Sequence, residues 1–594
     1  MRGVVAAICS LIFAAPLLAQ EPVKITRLPG PNEALALAKA DADTLPREIC
    51  WCARYIWITS GDIDDARAIS DAINRVSRSA RIYRPVLIGK DKLLVARVEL
   101  HKYALTDSDL QELTALWEEL QFDPALSFFI TKGMIRLALE RELPLKGHGT
   151  VKRWMEIAGK KRLIKKREAF DITIDAENIE LIRTPDPELD PDLLASLVEL
   201  TGSNAPLVTD RYFLARVMAT IQGKQTTYKE IFGGLYYQFA GIKRGFKKGT
   251  DEDNFLESLG IGNVAQGVTA KQVFDKIPSN QKVGVAHSRL HGRPRIVEYL
   301  PTIAAEVGQA EGLAVFTLDG FDEDIDVDEN PLDNLANFKA RAKECIYIRL
   351  NGMHGYALFD EQGALADEVP FNVANDRNIT QPRTMRLQAA VSCIGCHEAM
   401  GQDGWHPITN DVAKLDAIGL FPFGISRLSR QEREKLRAQF TGNPERALQR
   451  SRDDFSLSVF RCTTGEGYGL WKQSKTQTDV VKLSAERIAN GWRSYFYDAV
   501  GARQALLECR IRVEAKDADE EAKKAQALVK QLMEATIPPI TPLHHLGDLV
   551  VQESRPIAHL VAGTPITRTD WALARPVFAE RVRRAMKVMF KESK

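Results

Sequence analysis

Two cysteines and a histidine are spaced so that together they can hold one porphyrin. Residues 392–397 read Ser-Cys-Ile-Gly-Cys-His and include Cys393, Cys396 and His397. Thiols at this spacing can add to the two vinyl groups of one haem, and the histidine that follows can ligate the iron. In a chain of this length and composition, the probability that the pattern arises somewhere by chance is only about two in a thousand. The sequence therefore predicts one covalent haem c, attached through both cysteines, with His397 as an iron ligand.

Two other chemistries also use closely spaced cysteines. A structural zinc site takes four ligands, usually as two close pairs of Cys or His, and the sequence holds no second Cys-x-x-Cys pair. A thioredoxin-type dithiol normally opens a helix that follows a strand. Here a histidine directly follows the second cysteine, which favours haem attachment over both alternatives.

The iron ligand opposite His397 has several candidates. Met400 lies three residues after His397, so on a helix it shares the same side of the haem and does not readily reach the opposite face. His406 lies on a Gly- and Pro-containing loop that can fold back toward the iron. The full set of candidates is His406, Met353, His354, His287 and His291. Each of these side chains also has an ordinary alternative role, as a surface histidine or a core methionine.

The amino terminus has the pattern of a secretory signal sequence. Arg2 precedes a largely apolar run over residues 4–18, and the small residue Ala19 stands before polar Gln20. This order is typical of signal peptides, so residues 1–20 are predicted to direct export and to be removed. The run is shorter than the roughly 20 apolar residues of a membrane-spanning helix, although an uncleaved anchor is the alternative. The mature chain is predicted to be periplasmic or secreted, with no membrane span.

The overall charge argues against nucleic acid as a partner. The chain has 80 Lys and Arg residues against 79 Asp and Glu residues, which gives a net charge of +1. No overall field therefore draws it toward nucleic acid or an acidic membrane. The expected partner is a redox protein, or a small molecule that donates or accepts electrons.

Five further cysteines of the mature chain are candidates for disulfide bonds: Cys50, Cys52, Cys345, Cys462 and Cys509. A bond between Cys50 and Cys52 would close a small strained ring. We therefore expect these two thiols to pair with distant cysteines or to stay buried. Because the set is odd, at least one thiol stays unpaired in the monomer.

The length of 594 residues implies several packing units, since one core rarely grows beyond about 250–300 residues. The sequence predicts an α+β domain over residues 21–167 and a second α+β domain over residues 168–343. A haem-binding domain over residues 344–460 and a mainly helical region over residues 461–594 follow. The predicted fold class is therefore α+β and multidomain.

Local patterns place several elements within these segments. Residues 55–58 predict a strand, and Asp62 or Asp64 can cap the helix that follows. The residues that recur at helical spacing, and so predict its buried face, are Ala66, Ile69, Ala72, Ile73 and Val76. Runs of branched residues at 84–88 and 93–98 predict two more strands. Further helices are predicted over 210–221, 429–440 and 518–535.

The clearest local signal comes just before the haem motif. Residues 345–350 and 353–359 predict two strands, joined by Asn351 and Gly352. An Asn-Gly pair between two such runs is typical of a β-hairpin. The haem is therefore predicted to lie in an α+β setting, unlike the all-helical setting of small cytochromes.

The segment 345–411 resembles the haem-bearing part of large secreted c-type cytochromes found mostly in planctomycete-like bacteria. The matching residues are Asn351, Gly352, Gly355, Tyr356, Asp360, Gly363 and the motif at 392–397. Weaker similarity includes residues 84–85 and 206–213. The resemblance implies haem attachment at the two motif cysteines and iron ligation by the motif histidine. It implies no particular reaction and no distal ligand, and this chain departs from the family pattern at Met353 and His354.

Taken together, the motif and the signal sequence predict an exported monohaem cytochrome that transfers single electrons through His-ligated iron. One alternative is a haem enzyme or sensor whose second axial position is open to peroxide or a small gas. Another is an extracytoplasmic binding scaffold that carries an accessory haem.

Overall fold

The computed structural model describes residues 24–103, 190–203, 206–218, 235–259, 282–287, 294–302, 312–319, 340–368, 387–398, 429–431, 434, 445–465, 477–496, 499–534, 556–567, 570–571, 574–575, 578–579, 581–582 and 585–586. The predicted leader, residues 1–20, lies outside this set. Within the set, no helix combines the length and the apolar character needed to cross a membrane.

The protein is a mixture of helices and strands, which is consistent with the predicted α+β class. The strands are β1 (Ile25–Arg27), β2 (Ala53–Ile58), β3 (Val86–Lys90), β4 (Leu93–Glu99), β5 (Leu207–Thr209), β6 (Lys282–His287), β7 (Pro294–Thr302), β8 (Gly312–Asp319), β9 (Ala342–Ile348), β10 (His354–Asp360), β11 (Leu365–Ala366) and β12 (Ile511–Val513). The helices are α1 (Pro31–Ala42), α2 (Arg47–Cys52), α3 (Ile63–Val76), α4 (Pro191–Thr201), α5 (Asp210–Met218), α6 (Tyr236–Ala240), α7 (Asp251–Ser258), α8 (Val391–His397), α9 (Glu445–Thr464), α10 (Gln477–Phe496), α11 (Ala502–Glu508) and α12 (Ala518–Glu534).

The chain divides into two compact units, each built from segments that are distant in the sequence. The larger unit holds the described residues from 32 to 496, including the haem motif. The smaller unit holds residues 24–31 and those described from 499 to 586. The contiguous domain boundaries inferred from the sequence stay predictions.

A four-stranded sheet in the order β3-β4-β2-β5 belongs to the larger unit. Strand β2 is antiparallel to β4 and parallel to β5, so that Ile56 lies opposite Ala96 on one side and Val208 on the other. All six residues of β2 are buried. A strand paired on both sides and covered on both faces reads as a continuous apolar run, which is why the sequence signal at residues 55–58 is strong.

The predicted strands of this sheet match the structure closely. Residues 55–58 lie within β2, and residues 93–98 lie within β4. The strand predicted over 84–88 begins instead at Val86. Pro85 precedes it and has no backbone N–H to give to a strand ladder, which accounts for the later start.

Helix α3 runs through the middle of the larger unit, where it packs against α5, α6, α9 and α10. Its amino terminus is capped by Asp62, whose carboxylate accepts a hydrogen bond of 2.9 Å from the backbone N–H of Asp64. The predicted apolar face is buried in full. The helix also buries Asp71 and Arg75, which the apolar spacing does not predict.

Replacing the capping residue by Asp62→Ala is expected to lower the free energy of unfolding by about 1 kcal/mol, the usual value of such a cap. Asp62 also lies 3.1 Å from Arg487, but its side chain is 44% exposed, so this ion pair adds little. Urea denaturation at neutral pH measures the loss. Asp62→Asn is the control, because its amide oxygen can still accept the capping bond.

The same cap gives a pH dependence of defined sign. The hydrogen bond from the Asp64 N–H, and then Arg487, lower the pKa of Asp62 against the opposing effect of burial. The extra stability from the ionised cap is therefore complete above the ordinary carboxyl pKa of about 3.9, and it is lost as pH falls through the lowered value. The difference between wild type and Asp62→Ala should shrink in acid. A difference that stays constant with pH contradicts this assignment.

A six-stranded antiparallel sheet in the order β11-β10-β9-β8-β7-β6 forms the second sheet of the larger unit. Strands β9 and β10 pair with Ile348 opposite His354. At the turn between them Gly352 has a φ of +80°, and a Cβ there would lie 2.4 Å from the Ser458 hydroxyl. Glycine allows both the positive φ and the close approach of the Ser458 hydroxyl, because it has no Cβ.

Two long helices, α9 and α10, pack against each other and against α3. Helix α8, which carries the haem motif, packs against α10. Side chains from α3, α10, α8 and both sheets belong to one hydrophobic core of the larger unit. The helix that carries the motif therefore contributes to the core of the larger unit.

The smaller unit has its own core. Strand β1 pairs with β12, which joins the first described residues to a segment after residue 510. The rings of Trp571 and Phe578 meet edge to face, with centroids 5.3 Å apart, inside this core.

The helices predicted outside the motif have different outcomes. Helix α12 confirms the helix predicted over 518–535, and α5 confirms the greater part of the helix predicted over 210–221. Most of the helix predicted over 429–440 lies outside the described residues.

Candidate functional site

Helix α8 places the motif residues on one short, anchored turn of chain. Val391 and Ile394 are buried and fix the inner side of the helix. Before it, Ala390 has a φ of +65°, and the Val391 N–H donates to the Ala389 carbonyl at 2.9 Å. This is a tight γ-type turn, an uncommon and strained conformation. It gives the helix a fixed starting direction.

The three motif side chains project from neighbouring positions of that helix. Cys396 is three residues and His397 four residues after Cys393, a spacing that puts both beside Cys393 on the helix surface. Cys393 and His397 are partly exposed, whereas Cys396 is buried. Cys393 also borders the main core. The three motif side chains therefore share one side of α8.

The two motif cysteines are not used in disulfide bonds. Desolvation of the Cys393 thiol at the border of the core raises its pKa well above its ordinary value, and the nearby Glu344 carboxylate adds to the effect. The residues present fit a porphyrin held by two thioethers, because neither thiol is used in a disulfide crosslink.

The residue after the motif is tied to a distant helix by a buried ion pair. Glu398 receives two hydrogen bonds of 2.6 Å from the guanidinium of Arg75, one to each carboxylate oxygen. The side chains of Arg75 and Glu398 are only 1% and 0% exposed. Paired bonds of this kind fix geometry as well as adding energy. The carboxyl end of α8 is therefore fastened to α3.

The ion pair is part of a larger buried network. Arg75 also bonds Asp71 at 2.7 Å, and the Ser484 hydroxyl donates to Asp71 at 2.6 Å. The hydroxyl of Tyr356 donates to Glu398. The network thus joins α3, α10, β10 and the end of α8.

The ionisation states of Arg75, Glu398 and Tyr356 follow from their burial and from the charges that they place on one another. Burial alone would lower the pKa of Arg75, but the two carboxylates raise it well above its ordinary value. Burial raises the pKa of Glu398, and Arg75 opposes that shift. The pKa of Tyr356 rises well above its ordinary value through burial and the neighbouring Glu398 carboxylate. Arg75 is therefore cationic, and Tyr356 is a neutral donor.

Two of the candidate distal ligands are packed into the core. His354 stacks on Phe455 with ring centroids 3.9 Å apart and planes 7° apart. Burial, and then the charge of Arg75, lower the pKa of His354 well below its ordinary value, so its ring is neutral at pH 7. Met353 is fully buried in a second small core with Phe455 and Val459. Both side chains have structural roles in the chain as described.

The remaining candidates for the distal ligand are His287, His291 and His406. His406 and His291 lie outside the described residues, and so does Met400, which is not one of the candidates. His287 is the last residue of β6. His287 and His291 are also four residues apart, which is a zinc-binding spacing on a helix, but the strand at His287 does not provide that geometry.

None of the seven cysteines in the described part of the chain forms a disulfide bond. Cys50, Cys345 and Cys462 are buried, and Cys52 and Cys509 are partly exposed. The Cys462 thiol lies 3.2 Å from the Val459 carbonyl, within its own helix. The expectation for Cys50 and Cys52 is that they either form disulfide bonds with distant cysteines or are buried. The structure shows burial for Cys50, whereas the expectation is wrong for Cys52, which has neither a disulfide bond nor full burial.

Sequence patterns did not reveal Arg75, Asp71 or Glu398 as parts of the site. An Asp and an Arg four residues apart on a helix usually form a solvated pair. Asp71 and Arg75 lie between apolar residues of the predicted buried face, and this position is the one sequence feature that indicates their burial. Their partner Glu398 is 323 residues from Arg75, a separation that no local pattern bridges.

Among the described residues, no group of three or more His, Cys, Asp and Glu side chains is arranged to hold a bare metal ion. Comparison of the chain with protein-family models, with curated proteins and with solved structures gave no match.

Proposed function

We propose that the protein is an exported c-type cytochrome with one covalent haem, and that it transfers single electrons. The observation that carries this proposal is the Cys-x-x-Cys-His motif on a short, anchored helix, with both thiols outside any disulfide bond. Haem c attachment is the chemistry that needs two thiols and one imidazole in this order. The signal-like residues 1–20 support export, since the haem is attached outside the cytoplasm.

Each residue of the site has a definite task in this proposal. Cys393 and Cys396 carry the thioether bonds, and His397 ligates the iron. The bound haem supplies one-electron oxidation and reduction. Val391 and Ile394 anchor α8 in the core, so that the three motif side chains keep their directions.

The finer features of the sequence interpretation belong to the same proposal. The resemblance of residues 345–411 to the haem-bearing part of large secreted cytochromes supports a haem-binding domain over 344–460. In this view the β9–β10 hairpin contributes to that domain. The partner is a redox protein or a small-molecule electron donor or acceptor, and the mature chain acts in the periplasm or outside the cell.

Absorption spectra of the ferric and ferrous protein, with and without carbon monoxide, test electron transfer against the enzyme or sensor alternative. An electron-transfer cytochrome usually fills both axial positions with protein ligands. We therefore expect low-spin spectra that carbon monoxide does not change. A high-spin iron that binds carbon monoxide contradicts electron transfer and favours an open catalytic or sensing site. His406→Ala then tests that side chain as the second ligand.

A further inference from the structure

On the basis of the proposed function, we propose that Arg75 is a positioning residue for the iron ligand His397. It acts through Glu398, the residue that follows the ligand in the chain. Arg75 lies on α3, far from the haem motif in sequence, and it does not belong to the attachment motif. Its role is to fix the direction of the last turn of α8 and hence the orientation of the His397 imidazole.

The first step is the connection between Glu398 and the motif. The backbone N–H of Glu398 donates to the Ile394 carbonyl at 3.0 Å, which makes Glu398 part of the last helical turn. Both carboxylate oxygens of Glu398 are held at 2.6 Å by the two terminal nitrogens of Arg75. A two-point bond of this kind prevents rotation as well as translation of the carboxylate. Any tilt of the turn that carries Cys396 and His397 must therefore break or bend these bonds.

The second step is that Arg75 is itself immobile. Its Nε and Nη2 atoms bond the two oxygens of Asp71 at 2.7 and 3.1 Å. Ser484 on α10 donates to Asp71 at 2.6 Å. The guanidinium also lies 5.3 Å from the ring centroid of Phe455. The hold on α8 is thus anchored in the centre of the larger unit.

The third step is a comparison with known metal sites. In known metal sites, partners that hydrogen-bond to a ligand fix its orientation, and their loss typically lowers metal affinity or activity about 10- to 100-fold. Arg75 acts one step further away, on the residue that follows the ligand in the chain. A fully buried ion pair is also costly to form unless its geometry is excellent. Arg75 is buried at such a cost, and one of its two carboxylate partners, Glu398, directly follows His397 in the chain. This arrangement fits a role in orienting the proposed iron ligand.

Glu398→Gln and Asp71→Asn form a matched pair of variants. Both remove one buried carboxylate charge from the same arginine with little change in volume. An amide offers Arg75 one acceptor and one donor, so Gln at position 398 cannot form the paired bond. Arg75→Lys keeps the positive charge but also loses the paired bond. All three variants keep Cys393, Cys396 and His397, so covalent haem should be retained.

Electron paramagnetic resonance of the ferric full-length protein is the first readout, because its g values depend on the orientation of the axial imidazole. We expect shifted g values in Glu398→Gln and Arg75→Lys, and a clearly smaller shift in Asp71→Asn. A shift in Glu398→Gln that is no larger than in Asp71→Asn overturns the proposal. Arg75→Lys with wild-type g values overturns it as well. If Arg75→Lys does not fold, the matched pair decides.

Hydrogen exchange is the second readout, and it does not need haem. In the exported full-length chain, we expect the amides of residues 394–398 to exchange at least about tenfold faster in Glu398→Gln than in Asp71→Asn, since bonds to charged groups are lost at that turn. Equal rates overturn the positioning role. If the wild-type chain carries no haem, that result refutes only the proposed function. The hydrogen-exchange comparison still tests whether Arg75 holds this turn.

Discussion

A chain that carries both Cys393→Ala and Cys396→Ala is expected to contain no haem after extraction with acid and organic solvent. Only the thioether bonds withstand that treatment, and the double variant has no thiol on α8 from which to form one. Absorption of the precipitated protein, and its intact mass, measure the loss. Because both substitutions are small and lie on a helix anchored by Val391 and Ile394, the fold should survive.

His397→Ala is the matched comparison for that experiment. This variant keeps both thiols, so it should keep the covalent haem. It loses an axial ligand, so its ferric spectrum should differ in spin state from that of the wild type. Haem that resists extraction from the double cysteine variant contradicts the assigned attachment. So does complete loss of haem from His397→Ala in a folded chain.

Arg75→Met is expected to lower the free energy of unfolding of the larger unit by about 3–5 kcal/mol. The substitution leaves Asp71 and Glu398 buried beside each other without a counter-charge. The side chains of Arg75 and Asp71 are 1% and 0% exposed, so water does not compensate. Urea denaturation followed by circular dichroism measures the difference.

Arg67→Met is the control on the same helix. Arg67 pairs with Asp64 at 2.8 Å, but its side chain is 46% exposed. An exposed pair of this kind contributes less than about 1 kcal/mol. Equal effects of Arg67→Met and Arg75→Met would show that the buried network stabilises the fold no more than a surface ion pair does.

The elements that local patterns predicted share a simple physical basis. Strand β2 is buried on both faces and therefore reads as a short apolar run. Helix α3 shows apolar residues at helical spacing directly after a capping aspartate. In both cases the information lies within a few consecutive residues. That is why their bounds follow closely from the sequence.

The arrangement of those elements depends on contacts between distant segments. Strand β2 pairs with β5 in parallel, and the Thr59 backbone N–H and hydroxyl both donate to Asp210, which is 151 residues away. The partnership of Arg75 with Glu398 is of the same kind. Such pairings depend on the whole fold, and a single sequence carries no local signal for them.

The candidate site also contains one part that local sequence predicts and one part that depends on contacts between distant segments. The proposed attachment residues Cys393, Cys396 and His397 lie within five consecutive positions. Haem attachment imposes one spacing on them, so the motif alone locates them. The side chains that orient α8 come from α3, α10 and β10, and only the structure brings them together. His354 shows the limit of composition-based reasoning, since a histidine near the motif is stacked against Phe455 in the core.

The most direct test is the intact mass of the purified full-length protein, together with its reduced pyridine haemochrome spectrum. The protein should be produced with export in a host that matures c-type cytochromes. We predict the mass of the processed polypeptide plus one haem, and a spectrum typical of a haem with two thioether bonds. A colourless protein with the mass of the polypeptide alone would contradict the proposed function.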